Sequence, residues 1–247
     1  MTGLLAASLA YGRVTQILAS IRKVLDGLGG GSDTGPRAFL ERCKPKEIED
    51  AFRTFKHRFT TGREISSLIL GILRALDTWG SLEGMFGAGL GTGDETVLPA
   101  LSVFVDRLRE LSGGADAVAS LLSSPEDGSA CKRLNLYLRW MVRRDAVDPG
   151  PWTRVSQKLL VVPLDTHLFR IAGRIRLTTR KQADLKTALE VTRRFALLRP
   201  DDPVRYDFCL TRLGINPACR ALAGWSFQRP PGAPGSRGGP GRGRKRS

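Results

Sequence analysis

Apolar residues recur at helical spacing along most of this 247-residue chain, and this periodicity is the feature that most limits its fold. The clearest case is the stretch 63–79, where the apolar positions fall three or four apart: Ile65, Leu68, Ile69, Ile72, Leu73 and Leu76. Thr60 or Thr61 precedes this stretch, as a helix N-cap would. No run alternates apolar and polar residues cleanly, as half-buried strands do. The pattern predicts an all-α protein of roughly ten helices and no sheet.

The other apolar runs predict helices of ordinary length. They cover 4–25, ended by the glycines of 27–31, and then 36–43, 46–55, 95–111, 115–122, 179–198 and 203–213. The stretch 80–94 is rich in glycine and predicts a loop. The first of these helices is so apolar that we expect a partner segment upstream of Met1, since such a helix normally sits inside a core.

The composition changes at Arg229. Residues 229–247 consist mainly of Gly, Pro and Arg and cannot bury apolar area, so we expect a folded domain over 1–228 and a disordered basic tail over 229–247. The tail holds six of the basic residues and no acid. Subtracting these six from the formal net charge of +15 leaves +9 on the domain, which is therefore basic in its own right.

The charge favours a polyanionic partner, and we expect DNA, with RNA as the alternative. The four cysteines (Cys43, Cys131, Cys209 and Cys219) form no CxxC pair, and the chain has only two histidines, so we expect no metal and no other cofactor. The first residues lack a basic leader region, and no apolar run is long enough to span a bilayer. These features predict a cytoplasmic, nucleoid-associated protein with reduced thiols and no membrane partner.

Lys132 begins a strongly basic stretch that ends at Arg144. Ser129 is a good N-cap, which would place Lys132 in the first turn of a helix. The helix dipole and the neighbouring Arg133 both oppose a positive charge at this position, and a neutral amine is the nucleophile that Schiff-base chemistry needs. The alternative is an exposed lysine that contacts phosphate.

Asp165 precedes another predicted helix. As an N-cap it needs no catalytic role. A carboxylate aimed into a cleft could also stabilise an oxocarbenium-like sugar carbon or deprotonate a nucleophile. The two roles are compatible, because a capping side chain is held rigidly. His167, two residues later, could hold a phosphate or be purely structural.

The helix that begins near Lys132 carries further candidates. Arg133, Arg139 and Arg143 supply positive charge, and Arg139 and Arg143 share a face because they are four residues apart. Charge beside the aromatic side chains of Tyr137 and Trp140 suits stacking on an extruded base. Both aromatic residues are also typical of a protein core.

Three segments carry a resemblance to a known superfamily. The segment 162–174, Val-Pro-Leu-Asp-Thr-His-Leu-Phe-Arg-Ile-Ala-Gly-Arg, resembles the Val-Asp-Thr-His-x-x-Arg-Val segment of the helix-hairpin-helix DNA glycosylases, which include endonuclease III and the 8-oxoguanine glycosylases. The segment 203–219 resembles the helix that follows it there, and 4–15 is similar to the first core helix of that superfamily. The stretch 131–143, together with 163–167, looks like a bacterial family catalogued only as a domain of unknown function.

The resemblance implies a two-lobed helix-hairpin-helix glycosylase-like fold and a base-excision repair glycosylase. It implies that the protein acts as a monomer on duplex DNA with a damaged purine such as 8-oxoguanine, either as a glycosylase alone or also as a lyase that cleaves the strand. Asp165 maps to the catalytic aspartate, Lys132 would be the nucleophile, and Arg13 would lie near the DNA. Only Cys219 falls where endonuclease III holds its iron–sulfur cluster, so no cluster is expected. The alternative is a non-catalytic DNA- or RNA-binding protein of the same fold.

Overall fold

The computed structural model describes residues 1–29 and 42–215, which form ten α-helices and one small hairpin. The helices are α1 Thr2–Ser8, α2 Val14–Gly27, α3 Pro45–Phe52, α4 Gly62–Trp79, α5 Leu82–Gly87, α6 Leu98–Leu111, α7 Lys132–Val142, α8 Thr166–Arg174, α9 Leu185–Leu198 and α10 Asp207–Ile215. The hairpin pairs β1 Lys56–His57 with β2 Thr60–Thr61 in antiparallel register. The helical prediction is confirmed, whereas the expectation of no sheet is wrong for this hairpin. The predicted tail 229–247 and residues 36–41 of the predicted helix 36–43 lie outside the described residues.

The helix predicted over 4–25 is two helices, because the chain turns between Ala10 and Arg13. Gly12 adopts a φ of 103°, a conformation that side chains with a Cβ rarely take. The side chain of Arg58, from the hairpin, also lies against it, and a Cβ at Gly12 would come within 2.9 Å of the Arg58 Cδ. Apolar spacing continues across this break, so periodicity alone did not reveal it.

Helix α4 is the centre of the packing. Thr61 caps it: its Oγ1 accepts a hydrogen bond from the Glu64 amide, and the Glu64 carboxylate accepts one from the Thr61 amide at 2.9 Å. The predicted stripe faces the core, with Ile65, Leu68, Ile69 and Ile72 fully buried. Helices α3, α5 and α6 pack around it. The start, the stripe and the end of this helix confirm the prediction for 63–79.

Helix α7 has a different N-cap from the one predicted, and helix α9 begins at a later residue. Helix α7 begins at Lys132 as expected, but Cys131 is its N-cap, in the left-handed region at φ 44°. Ser129 is not the cap; its Oγ accepts a hydrogen bond from the Cys131 amide at 3.2 Å instead. Helix α9 begins only at Leu185, because the side chain of Asp184 accepts a hydrogen bond from the Thr187 amide and caps it.

Two further stretches differ in length or type. The glycine-rich stretch 80–94, predicted as a loop, contains the short helix α5. The stretch 115–122, predicted as a helix, holds only a 3-10 turn at Ala115–Val118. Within the described ranges, no helix is both long enough and apolar enough to cross a bilayer.

Candidate active site

A cleft of about 720 Å³ lies where the α1–α2 turn meets the starts of α7 and α8. Lys132 and Asp165 both line it, together with Tyr11, His167 and Asp184. Residues far apart in sequence therefore share one cavity, and each is held at the first turn of a helix or at a turn between helices. The two residues that we predicted to carry the chemistry are brought together.

The carboxylate of Asp165 is fixed by its role as the N-cap of α8. Its Oδ1 accepts a hydrogen bond from the Leu168 amide at 2.7 Å. The side chain is half-buried, and among the described residues its Oδ2 has no hydrogen-bond partner. Capping thus orients the carboxylate and leaves one oxygen available to the cleft. Asp165 can therefore cap α8 and take part in chemistry at the same time.

Lys132 is the first residue of α7 and is also half-buried. Within the described part of the chain, its ammonium group forms no ion pair with Asp165 or with any other carboxylate within 4.0 Å. A lysine side chain without an internal ion pair can approach a ligand in the cleft without first breaking that contact. The unusual backbone of Cys131 directly precedes it and sets the direction in which α7 starts.

Asp184 is a second carboxylate in this cleft, and the sequence did not single it out. The Thr187 amide and the Arg180 guanidinium both donate hydrogen bonds to it, at 2.9 and 2.7 Å, and they lower its pKa to about 2. Asp184 thus stays ionised in the cavity wall, where its charge is paired with that of Arg180. Its capping position could have been found only by placing the start of α9 correctly.

Arg133 contacts the protein backbone and the ring of Tyr11, which lines the cleft. Its Nη1 donates hydrogen bonds to the backbone oxygens of Ser8 and Ser120, and its guanidinium lies 5.0 Å from the ring centroid of Tyr11. Tyr11 in turn donates a hydrogen bond to the His57 backbone oxygen at 2.9 Å. In this geometry Arg133 holds Tyr11 in the cleft wall, although we predicted it as a direct contact to nucleic acid.

Arg139 and Arg143 lie in the protein interior and not in the cleft. Their exposed fractions are 4% and 3%. Arg139 pairs with Asp148 and Asp207, and Arg143 pairs with Asp148 and Asp202. Every one of these aspartates is buried, so the guanidiniums are held by ion pairs and are not available to phosphate. The partners at 202 and 207 are distant in sequence, which is why the pattern of α7 alone gave the opposite interpretation.

The two aromatic residues that we predicted for a base pocket do not line the cleft. Tyr137 is fully buried, between Phe104 and Trp152, and burial raises the pKa of its hydroxyl. Trp140 is half-buried and packs against the same core. Tyr137 and Trp140 are therefore core residues, which was the alternative interpretation. The cleft wall contains a different aromatic residue, Tyr11.

The remaining predicted contacts lie at the cleft edge. His167 lines the cavity and is half-buried. Arg13 is exposed and sits between Gly12 and Val14, both of which line the cavity. Across residues 1–29 and 42–215, no group of three or more His, Cys, Asp or Glu side chains is arranged to hold a metal ion.

Comparison with known proteins yields one family. A family model described as "Protein of unknown function (DUF2400)" matches residues 1–216. No curated protein and no solved structure matches the chain. The match covers both helix starts that form the cleft.

Proposed function

The chain belongs to the family described as protein of unknown function (DUF2400), and we propose that it is a DNA base-excision repair glycosylase with lyase activity on a damaged purine such as 8-oxoguanine. One observation carries the proposal: Lys132 and Asp165, each at the start of a different helix, line a single cleft of about 720 Å³. A cavity of this size accepts one extruded nucleotide. The resemblance of 162–174 to the helix-hairpin-helix glycosylases and the net charge of +9 on residues 1–228 support it.

The chemistry assigns one step to each residue. The Lys132 nitrogen attacks C1′ of the sugar while the glycosidic bond breaks, and the base departs with the electron pair and takes up a proton from solvent. Asp165 Oδ2 stabilises the positive charge that develops on the sugar. The Lys132 nitrogen then passes a proton to O4′ as the C1′–O4′ bond breaks, and the ring opens to a protonated Schiff base. Loss of a C2′ proton from this intermediate breaks the C3′–O bond and cleaves the strand.

The substrate would be duplex DNA bound by a monomer, with the damaged nucleotide extruded past Tyr11 into the cleft. Arg13 and His167, at the edge of the cleft, would contact the flanking phosphates. Such an enzyme would act in the cytoplasm on the nucleoid. The two-lobed helix-hairpin-helix architecture is part of the same proposal.

Borohydride trapping tests the proposal directly, because reduction of a Schiff base links protein and DNA covalently. Duplexes that carry 8-oxoguanine and other common lesions are incubated with the protein and borohydride. We expect an adduct with at least one lesion duplex, lost in Lys132→Gln and retained in the exposed control Lys46→Gln. An absence of adduct on every lesion, or an equal adduct in Lys132→Gln, would refute the lyase mechanism.

Asp165→Asn separates catalysis from capping. Asparagine is as good an N-cap as aspartate, so the variant should keep the fold of α8 while it loses the negative charge. We expect base removal to fall by about a hundredfold or more, with little change in Tm. The rates of base removal by the wild type and by Asp165→Asn are measured under single-turnover conditions.

A second candidate is a non-catalytic DNA- or RNA-binding protein of the same fold. The observation that favours it is the internal use of Arg133, Arg139 and Arg143, since three of the five predicted phosphate contacts are bound within the protein. This candidate predicts salt-sensitive binding to undamaged duplex or RNA and no trapped adduct.

A further inference from the structure

A second cleft, of about 600 Å³, lies between α3, α4 and the turn that follows α6. Three arginines line it: Arg53 at the end of α3, and Arg63 and Arg74 on α4. None of the cleft residues near Lys132 belongs to it. It is therefore a separate site, and its properties do not depend on the function proposed above.

The guanidiniums of Arg53 and Arg63 are unengaged. Within the described ranges, neither side chain forms an ion pair within 4.0 Å or a hydrogen bond. This holds even though Glu49 and Asp50, which also line the cleft, are spaced four and three residues from Arg53 as helical ion pairs would be. Arg74 donates one hydrogen bond, from Nη1 to the Leu111 backbone oxygen, and keeps its other N–H groups.

The wall of this cleft also holds a buried hydroxyl without a partner. Ser112 lines the cleft and is only 5% exposed, yet its Oγ has no hydrogen-bond partner. The absence of a side chain at Gly71 makes room for this hydroxyl, because a Cβ there would lie 2.2 Å from the Ser112 Oγ. A buried polar atom without a partner costs free energy unless something binds to it.

We propose that this cleft binds a phosphate group. Arginine forms paired, planar hydrogen bonds with phosphate oxygens, and a serine hydroxyl donates to the same kind of acceptor. The carboxylates of Glu49 and Asp50 hold the net charge of the lining at only +1, so binding depends on the arrangement of donors and not on bulk charge. They also favour a phosphate whose bearer offers hydroxyl or amino groups to the carboxylates.

The phosphate has two possible sources, a polynucleotide backbone and a small phosphorylated molecule. The position of the cleft is compatible with the first. Glu64, on α4 next to Arg63, accepts a hydrogen bond from the Ser120 amide at 3.1 Å, and the Ser120 Oγ is 2.5 Å from the Thr60 Oγ1. Thr60 contacts the Tyr11 hydroxyl in the wall of the first cleft. A chain of hydrogen bonds therefore connects Tyr11, in the wall of the first cleft, to Glu64, the neighbour of Arg63 in the second.

The test is an amide NMR titration of the full chain with inorganic phosphate. We expect saturable shifts at Ser112, Gly113 and Ala117. Arg63→Gln should weaken the affinity about tenfold or more and Ser112→Ala about fivefold, whereas Arg194→Gln, an exposed control on α9, leaves it unchanged. Absence of saturable shifts at these amides overturns the proposal, as does an equal loss in Arg194→Gln.

A second arm identifies the source. An undamaged duplex is titrated against wild type and Arg63→Gln at fixed salt. A lower duplex affinity in the variant, with competition by phosphate, supports a nucleic-acid backbone; an unchanged duplex affinity supports a small phosphorylated ligand. Lys132→Gln, which should abolish borohydride trapping, should leave the shifts at Gly113 intact, so failure of either proposal is recognised separately.

Discussion

Gly62 is a single residue on which the contact between α3 and α4 depends. It is the first residue of α4 and is buried, and an added Cβ would lie 1.7 Å from the backbone oxygen of Phe52. Backbone cannot move aside as a flexible side chain can. We expect Gly62→Ala to lower the free energy of unfolding by about 3 kcal/mol, measured by urea denaturation.

Gly173 provides the matched control. It lies within α8, and a Cβ there would meet nothing within 4 Å. Alanine at this position should raise the free energy of unfolding by about 0.5–1 kcal/mol, because alanine has the higher helix propensity. A Gly62→Ala protein as stable as Gly173→Ala would contradict the packing described for the α3–α4 junction.

At the scale of elements, the buried ion pairs join α7 to α10. Burial raises the pKa of Asp207 to about 6 from its ordinary value of 3.8, because desolvation outweighs the attraction of Arg139. Between these two values the folded chain holds a proton that the unfolded chain has released. The contribution of Asp207 to stability is therefore greatest below 3.8 and decreases as the pH rises toward about 6.

This linkage gives a prediction for Asp207→Asn. The difference in free energy of unfolding, wild type minus variant, should fall by about 3 kcal/mol between acid and neutral pH. Using the difference removes the opposing effect of carboxylates with lowered pKa values, such as Asp184. Asp201→Asn, an exposed neighbour, should show no such slope. A flat difference for Asp207→Asn would mean that the folded and unfolded chains share one pKa at this position, and a rising difference would mean that Arg139 lowers it instead.

How far the sequence could predict the elements is clear from α4 and α7. Helix α4 was predictable from end to end, because its cap, its apolar stripe and its final glycine are all local signals. The start of α7 was predictable, but the burial of its arginines was not, since Arg139 and Arg143 pair with aspartates that lie 68 and 59 residues away, respectively. An ion pair between distant segments leaves no local pattern.

The same distinction applies to the site. Lys132 and Asp165 could be singled out because each lies at a helix start with a recognisable sequence around it. Asp184 could not, because an apparent helix from Thr179 concealed the cap of α9. The unpartnered Ser112 hydroxyl could not be foreseen either, since it depends on a gap beside Gly71 that exists only after α4 and the end of α6 pack together.

At the scale of the whole molecule, positive charge is distributed between residues 1–228 and the predicted tail, residues 229–247. Residues 229–247 contribute six of the fifteen net positive charges and no acid. Removing them lowers the formal net charge to +9 without touching either cleft. The cationic groups within 1–228 that are internally paired, such as Arg139 and Arg143, cannot release counterions from DNA, so the tail should carry a large share of the non-specific attraction.

Truncation after residue 228 measures that share. The slope of log Kobs against log salt for an undamaged duplex should become less negative by up to about 5, because each phosphate neutralised contributes about 0.9. The yield of borohydride adduct at saturating lesion duplex should stay the same, since Lys132 and Asp165 are unchanged. If the slope does not move, the tail does not contact DNA, and the charge of the domain alone accounts for binding. If the slope becomes less negative and the adduct yield at saturation also decreases, residues 229–247 contribute to the chemical step as well as to the attraction to DNA.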